Sequence, residues 1–297
     1  METLVECPIC KHKEFSTFLK CKDYTVSHET FQIVKCQSCE LVFTNPRPDH
    51  QEIDRYYKSD AYISHSNSTK GLLNFVYQKI RKIAIKAKVN LIKSLNPSQK
   101  SILDYGSGTG EFLNAMKTKG WSCKGIEPSP EAREMSKSNY NLDIENPKAL
   151  ETINQGKYGL ITLWHVLEHI HNLKATIYSL EKTLGAGGFI IIAVPNRESW
   201  DADHYKEYWA AYDVPRHLYH FSKKDIVSLF TNLGFQLIAI RPMFYDPFYI
   251  SILSEKYKNG KTNYLNAFIN GIKTTVIGRK EITKNSSLIY IFQKANS

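Results

Sequence analysis

The stretch SILDYGSGTGEFL, residues 101–113, predicts a buried strand, a tight turn and the start of a helix. Its glycines let the backbone approach a ligand closely and take conformations that are closed to other residues. The helix that follows offers free N–H groups in its first turn. The stretch therefore predicts a ligand-binding loop at the end of a strand in an α/β sheet.

The next predicted strand, SCKGIEP at residues 122–128, ends in an acid, Glu127, about 20 residues beyond the loop. A doubly wound sheet places a carboxylate at that position against ribose hydroxyls. Loop and acid together predict a ligand that contains adenosine.

The loop differs from a dinucleotide-binding loop, whose third glycine follows two intervening residues. Here only one residue intervenes, and Glu111 stands where the dinucleotide pattern has its glycine. A carboxylate there would repel a pyrophosphate, and the acid at Asp104 suits an ammonium group better than phosphates. We therefore favour S-adenosylmethionine as the ligand.

Four cysteines form two Cys-x-x-Cys pairs, Cys7 with Cys10 and Cys36 with Cys39. Each pair can place two thiolates on one tetrahedral ion, and the spacing resembles that of a zinc ribbon. Two disulfides or four idle thiols are the alternatives, and disulfides fit poorly with a chain that shows no export signal. Four protein ligands leave no position open for water, so we expect structural zinc.

The composition is ordinary for a soluble globular protein, with 42% hydrophobic and 23% charged residues. No apolar run approaches the ~20 residues of a membrane span and no signal peptide is visible, so we expect a cytoplasmic protein without a span. The net charge is +10, and residues 70–100 carry eight basic residues and no acid. Helical apolar spacing there favours an amphipathic helix with a solvated basic face over a phosphate or membrane-surface contact.

The chain resembles the class I S-adenosylmethionine-dependent methyltransferases, specifically the branch called methyltransferase domain 23. The segments that carry the resemblance are LDYGSGTGEFL (residues 103–113), GIEPS (125–129), WHVLEH (164–169) and GFIIIAVP (188–195). The resemblance implies an α/β fold with a Rossmann-like seven-stranded sheet, here joined to a small N-terminal zinc ribbon.

The resemblance also implies where the cofactor binds. In the family, the glycine loop passes beneath the methionine part, the acid after the second strand holds the ribose, and the end of the fourth strand lies near the sulfonium. The cofactor-binding residues implied for this chain are Asp104, Tyr105, Gly106, Gly108, Gly110, Glu127, Leu163, Trp164 and His165.

The N-terminal residues are similar to those of bacterial enzymes that methylate deoxysugars at carbon, which join a four-cysteine zinc module to this methyltransferase core. Those enzymes have a further C-terminal domain, which we expect this chain to lack. In them, the histidine of a Pro-Arg-His-Leu or Glu-His-Leu pattern acts as a base. The resemblance implies that role for His217, with Tyr219 and Tyr212 orienting a substrate; a histidine that only braces the lid is the alternative.

Three parts are expected along the chain: a zinc-ribbon-like module at residues 1–48, a linker and helical cap at 49–100, and the methyltransferase domain at 101–297. Within that domain we expect a lid at residues 196–222 and a helical insertion between the last two strands at 242–287. The insertion has an apolar face, which fits a substrate lid, a core contact or a dimer contact equally well.

The predicted function is methyl transfer from S-adenosylmethionine to a small-molecule acceptor, such as a sugar or another secondary metabolite. One alternative is an RNA methyltransferase that grips RNA with the zinc module and the basic helix, although the aromatic-rich lid suits a small acceptor better. A nicotinamide oxidoreductase is another alternative. Tyr178 and Lys182 have the Tyr-x-x-x-Lys spacing of short-chain dehydrogenases, but the glycine loop does not match theirs. A non-catalytic protein that binds S-adenosylmethionine is the last alternative, and the acceptor atom and oligomeric state stay open.

Overall fold

The structure is a computed structural model that describes residues 1–58 and 72–295, with side chains of the first helix described from residue 80 onward. Residues 59–71, within the predicted linker and helical cap, lie outside the described residues. The described strands are β1 (Phe15–Lys22), β2 (Thr30–Cys36), β3 (Val42–Thr44), β4 (Ser101–Tyr105), β5 (Ser122–Ile126), β6 (Ile144–Glu145), β7 (Tyr158–Trp164), β8 (Leu184–Pro195), β9 (Tyr219–His220), β10 (Phe235–Pro242) and β11 (Ser287–Lys294).

Helices connect most of these strands. The described α-helices are α1 (Leu72–Leu95), α2 (Glu111–Lys117), α3 (Pro130–Tyr140), α4 (Leu173–Thr183), α5 (Trp200–Tyr205), α6 (Lys223–Thr231), α7 (Asp246–Asn259) and α8 (Tyr264–Lys280). Short 3-10 helices include Ile53–Tyr57, Leu167–His169 and Ala210–Tyr212. None of the described helices is long and apolar enough to cross a bilayer.

Seven strands form the main sheet in the order β10-β11-β8-β7-β4-β5-β6. The strands from β6 to β8 in that order pair in parallel, while β11 runs antiparallel to both of its neighbours. This confirms the predicted seven-stranded Rossmann-like sheet. Because the chain leaves β4 toward β5 and later returns to the other side of β4 as β7, a crevice opens at the carboxyl ends of these strands.

The central strands are buried on both faces because helices cover the sheet on either side. In β8, Ile190 and Ile192 belong to one core cluster, while Ile191 belongs to the cluster on the opposite face. Helix α1 contributes Val89 and Ile92 to the second cluster. Three consecutive isoleucines are therefore required by a strand that has no solvent face.

A second, four-stranded sheet has the order β1-β2-β3-β9. Its last strand comes from the predicted lid, since Val42 and Phe43 pair with His220 and Tyr219. The Thr44 hydroxyl also donates a hydrogen bond to the His217 carbonyl at 2.8 Å. The N-terminal strands and the lid thus share one sheet, whereas the division of the chain at residue 48 stays a prediction.

Helix α1 corrects the expectation of a wholly solvated basic face. Lys82, Lys86 and Lys93 are exposed. However, Arg81 forms an ion pair with Glu111 at 2.6 Å, and Lys88 lies over the Trp164 ring at 4.3 Å from its centroid. Two basic residues of this helix therefore point toward the glycine loop and β7 rather than into solvent.

A buried ion pair joins the N-terminal strands to the lid. The Arg216 guanidinium is almost fully buried and donates to Asp213 at 2.6 Å and to Asp23 at 3.0 Å. Burial alone would raise the pKa of the Asp23 carboxyl, but hydrogen bonds and charge from Arg216 hold it below its usual value. Backbone N–H groups of Thr25 and Ser27 donate to the same carboxylate.

We expect Asp23→Ala to lower the free energy of unfolding by about 3–5 kcal/mol, because it leaves the Arg216 guanidinium buried with one carboxylate fewer. Urea unfolding followed by circular dichroism measures this change. Asp54→Ala, which removes an exposed carboxylate from the Ile53–Tyr57 helix, is the matched control and should change stability by under about 0.5 kcal/mol. Equal unfolding midpoints for the two variants would show that the buried ion pair between Asp23 and Arg216 contributes nothing to the free energy of unfolding.

Candidate active site and metal centre

The glycine loop follows β4 and is held close to the neighbouring strands. Gly106, Gly108 and Gly110 have φ angles of +78°, +54° and +84°, which favour glycine. A Cβ on Gly106 would lie 2.2 Å from a Val166 methyl, and one on Gly110 would lie 2.4 Å from the Ser136 hydroxyl. A Cβ on Gly108 would meet nothing within 4 Å, so its backbone faces space that a ligand can enter.

Glu127 follows β5 and ties the loop to that strand. Its carboxylate accepts hydrogen bonds from the Gly108 N–H at 2.8 Å and from the Ser129 N–H at 3.0 Å. Burial raises the pKa of this carboxyl, and the two backbone donors oppose that effect. The acid that the sequence singled out therefore lies directly against the glycine loop.

Asp104 ends β4 beside Thr162 of β7, whose hydroxyl donates to its carboxylate at 2.6 Å. Burial raises the pKa of Asp104 to about 7, while Lys88 favours its charged form. Burial in turn lowers the pKa of Lys88 to about 8. The sequence did not single out Lys88, because nothing distinguishes it from the other basic residues of this helix and its neighbours Asp104 and Trp164 are distant in the chain.

Strand alternation separates the remaining predicted cofactor residues. Trp164 lies on the same side as Lys88, and its indole N–H has no hydrogen-bond partner among the described residues. Tyr105 and Leu163 instead point into the core cluster beneath helix α4. Asp104, Trp164 and the glycine loop are thus brought together, while Tyr105 and Leu163 offer the crevice only their backbone.

His165 follows β7 in a left-handed conformation, with φ of +57°. Its Nε2 lies 3.1 Å from the Asp246 carboxylate of helix α7, and its Nδ1 lies 3.4 Å from Glu168. Burial alone would lower the pKa of His165, but Asp246 and Glu168 raise it to about 10. Helix α7 of the insertion therefore reaches the end of β7, which the sequence did not reveal.

Glu168, His169 and His217 form a buried cluster, called here the Glu-His-His cluster. Their ligand atoms all lie within 4.8 Å of one another, so they can hold a metal ion. Glu168 is fully buried, and in the described part of the chain neither carboxylate oxygen has a well-aligned hydrogen-bond partner. The Glu168 carboxylate lies 4.0 Å from Nε2 of His217.

Backbone carbonyls orient both histidines of the cluster. Nδ1 of His217 lies 2.8 Å from the Ala211 carbonyl, so Nδ1–H donates, and in the neutral imidazole the lone pair is on Nε2. Nδ1 of His169 lies 3.0 Å from the Arg216 carbonyl. Burial, followed by the proximity of His217, lowers the pKa of His169 to about 4, so His169 is neutral at neutral pH.

Tyr219, which the resemblance placed with His217, points elsewhere. Its hydroxyl donates to the His171 carbonyl at 3.1 Å and accepts from Arg47 at 3.3 Å. Its ring stacks on Phe221 in the main core. Among the described residues, none of the hydrogen bonds of Tyr219 goes to the Glu-His-His cluster.

The four predicted zinc ligands converge at one point. The Cys7 and Cys39 sulfurs lie 3.6 Å apart, and the Cys10 and Cys36 sulfurs lie 3.5 Å apart. A tetrahedral zinc with Zn–S bonds of about 2.3 Å separates its sulfurs by about 3.8 Å. The sulfur positions therefore fit this ion.

The two cysteine turns share one hydrogen-bond pattern. The Lys11 N–H donates to the Cys7 carbonyl at 3.0 Å, and the Glu40 N–H donates to the Cys36 carbonyl at 3.1 Å. Lys11 and Glu40 also share a left-handed conformation, with φ near +65° and +67°. Two equivalent turns that face each other give the tetrahedral arrangement.

The family model of methyltransferase domain 23 matches residues 77–240, which is more than half of the chain. The chain belongs to the methyltransferase domain family. It is an S-adenosylmethionine-dependent methyltransferase, as the glycine loop and the acid after β5 indicated. The matched residues run from helix α1 through the glycine loop and the Glu-His-His cluster to β10.

Two relatives are named ubiquinone biosynthesis O-methyltransferase. The protein from Idiomarina loihiensis is 24% identical over 172 residues, covering 53% of this chain and 70% of its own length. The protein from Nitrosomonas europaea is 25% identical over 185 residues, covering 58% and 77%. The matching parts therefore cover little more than half of this methyltransferase.

Solved structures share the fold at low identity. A SAM-dependent methyltransferase from Archaeoglobus fulgidus superposes with a TM-score of 0.52 at 16% identity, over 75% of this chain and 100% of its own. The [4+2]-cyclase SpnF superposes with a TM-score of 0.53 at 12% identity, over 85% and 99%. A protein named for another reaction thus has this fold, and the acceptor must be argued from the site.

Proposed function

We propose that this methyltransferase transfers a methyl group from S-adenosylmethionine to a hydroxyl oxygen of a small-molecule acceptor, with His217 as the general base. The Glu-His-His cluster carries the proposal: the buried Glu168 carboxylate, which also lies 3.4 Å from His165, faces Nε2 of His217, the ring nitrogen that does not bond to the Ala211 carbonyl. The names of the relatives, which specify an oxygen acceptor, support the same choice.

The crevice at the ends of β4, β5 and β7 is our proposed cofactor site. Bound there, S-adenosylmethionine supplies a methyl group that a sulfonium has already activated. Glu127 would accept hydrogen bonds from the ribose hydroxyls with the lone pairs that Gly108 and Ser129 leave free. Asp104 and the unpaired indole N–H of Trp164 would contact the methionine part.

His217 would remove the acceptor's hydroxyl proton at Nε2 while Nδ1–H stays bonded to the Ala211 carbonyl. The imidazolium that forms would be stabilised by Glu168 at 4.0 Å and by Asp213 at 3.9 Å. The acceptor oxygen, freed of its proton, would take the methyl group that bound S-adenosylmethionine would supply, and the electron pair of the broken carbon–sulfur bond would stay on sulfur. Alignment and exclusion of water would supply most of the acceleration.

We further propose that Cys7, Cys10, Cys36 and Cys39 bind a structural zinc ion. Four thiolates complete a tetrahedral shell, which leaves the ion no position for water or substrate. The ion would hold the loops at the ends of β1, β2 and β3. Because β3 pairs with β9, it would also stabilise the segment that carries His217.

Glu127→Ala should weaken binding of S-adenosylmethionine by at least about tenfold, since a hydrogen-bonded charge contributes about 1.5–3 kcal/mol. Isothermal titration calorimetry measures the change, and a thermal melt checks that the loop still folds. Glu134→Ala, which removes an exposed acid from the adjacent helix α3, is the control. A folded Glu127→Ala protein with wild-type affinity would remove Glu127 from the site.

His217→Ala should lower kcat by about 10²–10⁴-fold while leaving the affinity for S-adenosylmethionine within about twofold, because only the base is lost. Turnover is measured with methyl-labelled S-adenosylmethionine and the best acceptor from a panel of phenols and sugars. His204→Ala, which removes a histidine of the same lid outside the cluster, should keep its activity. Full activity of His217→Ala would end the proposal.

Treatment with a chelator distinguishes two roles of the Glu-His-His cluster, namely a general base and a metal site. We expect that adding Mg²⁺ after dialysis against EDTA does not change turnover. The comparison sample is protein dialysed against EDTA in the same way, without added Mg²⁺. Mg²⁺ prefers oxygen ligands and does not replace zinc on thiolates. Activity that is lost on dialysis and returns with Mg²⁺ would mean that the cluster holds a metal and that His217 is a ligand.

Purified protein should contain about one zinc ion per chain by plasma mass spectrometry. Cys36→Ser should lose this zinc and melt at a lower temperature, because a small module depends on its ion. Cys123→Ser, outside the cluster, should keep both zinc and stability. Zinc retained by Cys36→Ser, or absent from the wild type, would contradict the assignment.

A further inference from the structure

Helix α8 exposes its large apolar side chains to solvent, which is unusual for a helix of a soluble domain. Such a helix ordinarily buries its apolar stripe and exposes polar residues. Its buried residues are small or polar: Ala267, Asn270, Gly271, Thr274 and Gly278. Its exposed residues include Tyr264, Leu265, Phe268, Ile269, Ile272 and Val276, called here the α8 apolar stripe.

The stripe is continuous along the helix. Tyr264, Phe268, Ile272 and Val276 follow one another at intervals of four residues, which places them on one face. Leu265 is 69% exposed and Phe268 is 57% exposed, and the described residues leave the stripe uncovered. Contiguous exposed apolar surface of this kind marks an interaction site.

The inner face of α8 explains how the stripe is held outward. Gly271 packs against the Phe248 ring of helix α7, where an added Cβ would lie 2.6 Å from a ring carbon. Gly278 packs equally closely against Asn285. Small residues at helix contacts, with large apolar residues facing away, are typical of helices whose outer surface meets lipid.

The segment that carries the stripe is basic along the sequence, and the first acid after it is Glu281. Between Lys256 and Lys280 the chain has six basic residues and no acid. Lys261, Arg279 and Lys280 are exposed and form no ion pair with other described residues. A second copy of this chain would bring like charge to the surface, and RNA would satisfy the charges but not the apolar side chains. Anionic lipid satisfies both, because its headgroups attract lysine and arginine above an acyl layer.

We propose that helices α7 and α8 dock this methyltransferase on the surface of a bilayer that contains anionic lipid. The α8 apolar stripe enters the boundary between headgroups and acyl chains, and the flanking basic residues contact the headgroups. The helix lies in the interface without crossing it, which agrees with its length and polar inner face. The proposal does not depend on the methyl acceptor.

The test is co-sedimentation of the full chain with vesicles of phosphatidylcholine, with and without phosphatidylglycerol. We expect binding to the anionic vesicles, weakened by high salt. A variant with Leu265→Ser, Phe268→Ser and Ile272→Ser should bind at least about tenfold more weakly. A variant with Lys261→Gln, Arg279→Gln and Lys280→Gln should lose at least as much.

Tyr178→Ser is the matched control, since it removes an exposed aromatic side chain from helix α4 and should bind like the wild type. Circular dichroism checks the fold of each variant, and calorimetry with S-adenosylmethionine checks the cofactor site separately. Failure of the wild type to sediment with anionic vesicles would overturn the proposal, as would equal binding by the serine variant. A wild-type dimer that the serine variant abolishes, without vesicle binding, would assign the stripe to self-association instead.

Discussion

The site depends on how closely the glycine loop approaches the ends of β5 and β7. Gly106 leaves no room for a side chain beside Val166, and the N–H groups of Gly106 and Ser107 both donate to the Ile126 carbonyl. The Gly108 N–H then points to Glu127. Any larger residue at Gly106 would push the loop away from both strands, and the open side of Gly108 would no longer face the crevice.

A second constraint is the joining of the N-terminal module to the lid. The module is packed directly against the lid. Strand β3 pairs with β9, and Asp23 and Asp213 both accept hydrogen bonds from the buried Arg216 guanidinium. Arg216 directly precedes His217 in the chain, and the Asp213 carboxylate lies near both. The cysteine cluster therefore supports, through one small sheet, the segment that carries the proposed base.

The insertion between β10 and β11 faces two environments. At its N-terminal end, Asp246 pairs with His165 and so reaches the end of β7. Along helix α8, large apolar residues point outward between basic side chains. One pair of helices thus connects the crevice with the surface that we propose meets lipid. An acceptor that partitions into a bilayer would be accessible to an enzyme arranged in this way.

The sequence by itself determined the features that depend on local pattern and spacing. Glycines in a strand-turn-helix context with an acid after the next strand predicted the ligand-binding loop, and two Cys-x-x-Cys turns predicted the convergence of the four cysteines. The family resemblance carried by these segments implied the seven-stranded sheet. Features that depend on residues distant in the chain were not. Lys88 beside Asp104, Asp246 beside His165 and Arg216 beside Asp23 give no periodic or motif signal.

The tertiary structure also decided which predicted residues meet. Tyr105 and Leu163 stand next to predicted cofactor residues in the sequence, yet strand alternation turns their side chains into the core, and the Tyr219 hydroxyl contacts Arg47 and His171 rather than the residues around His217. Glu168 and His169 gain their significance only because the lid folds back and brings His217 to them. Spacing along one element follows from the sequence, whereas a contact between two elements is set by how they pack.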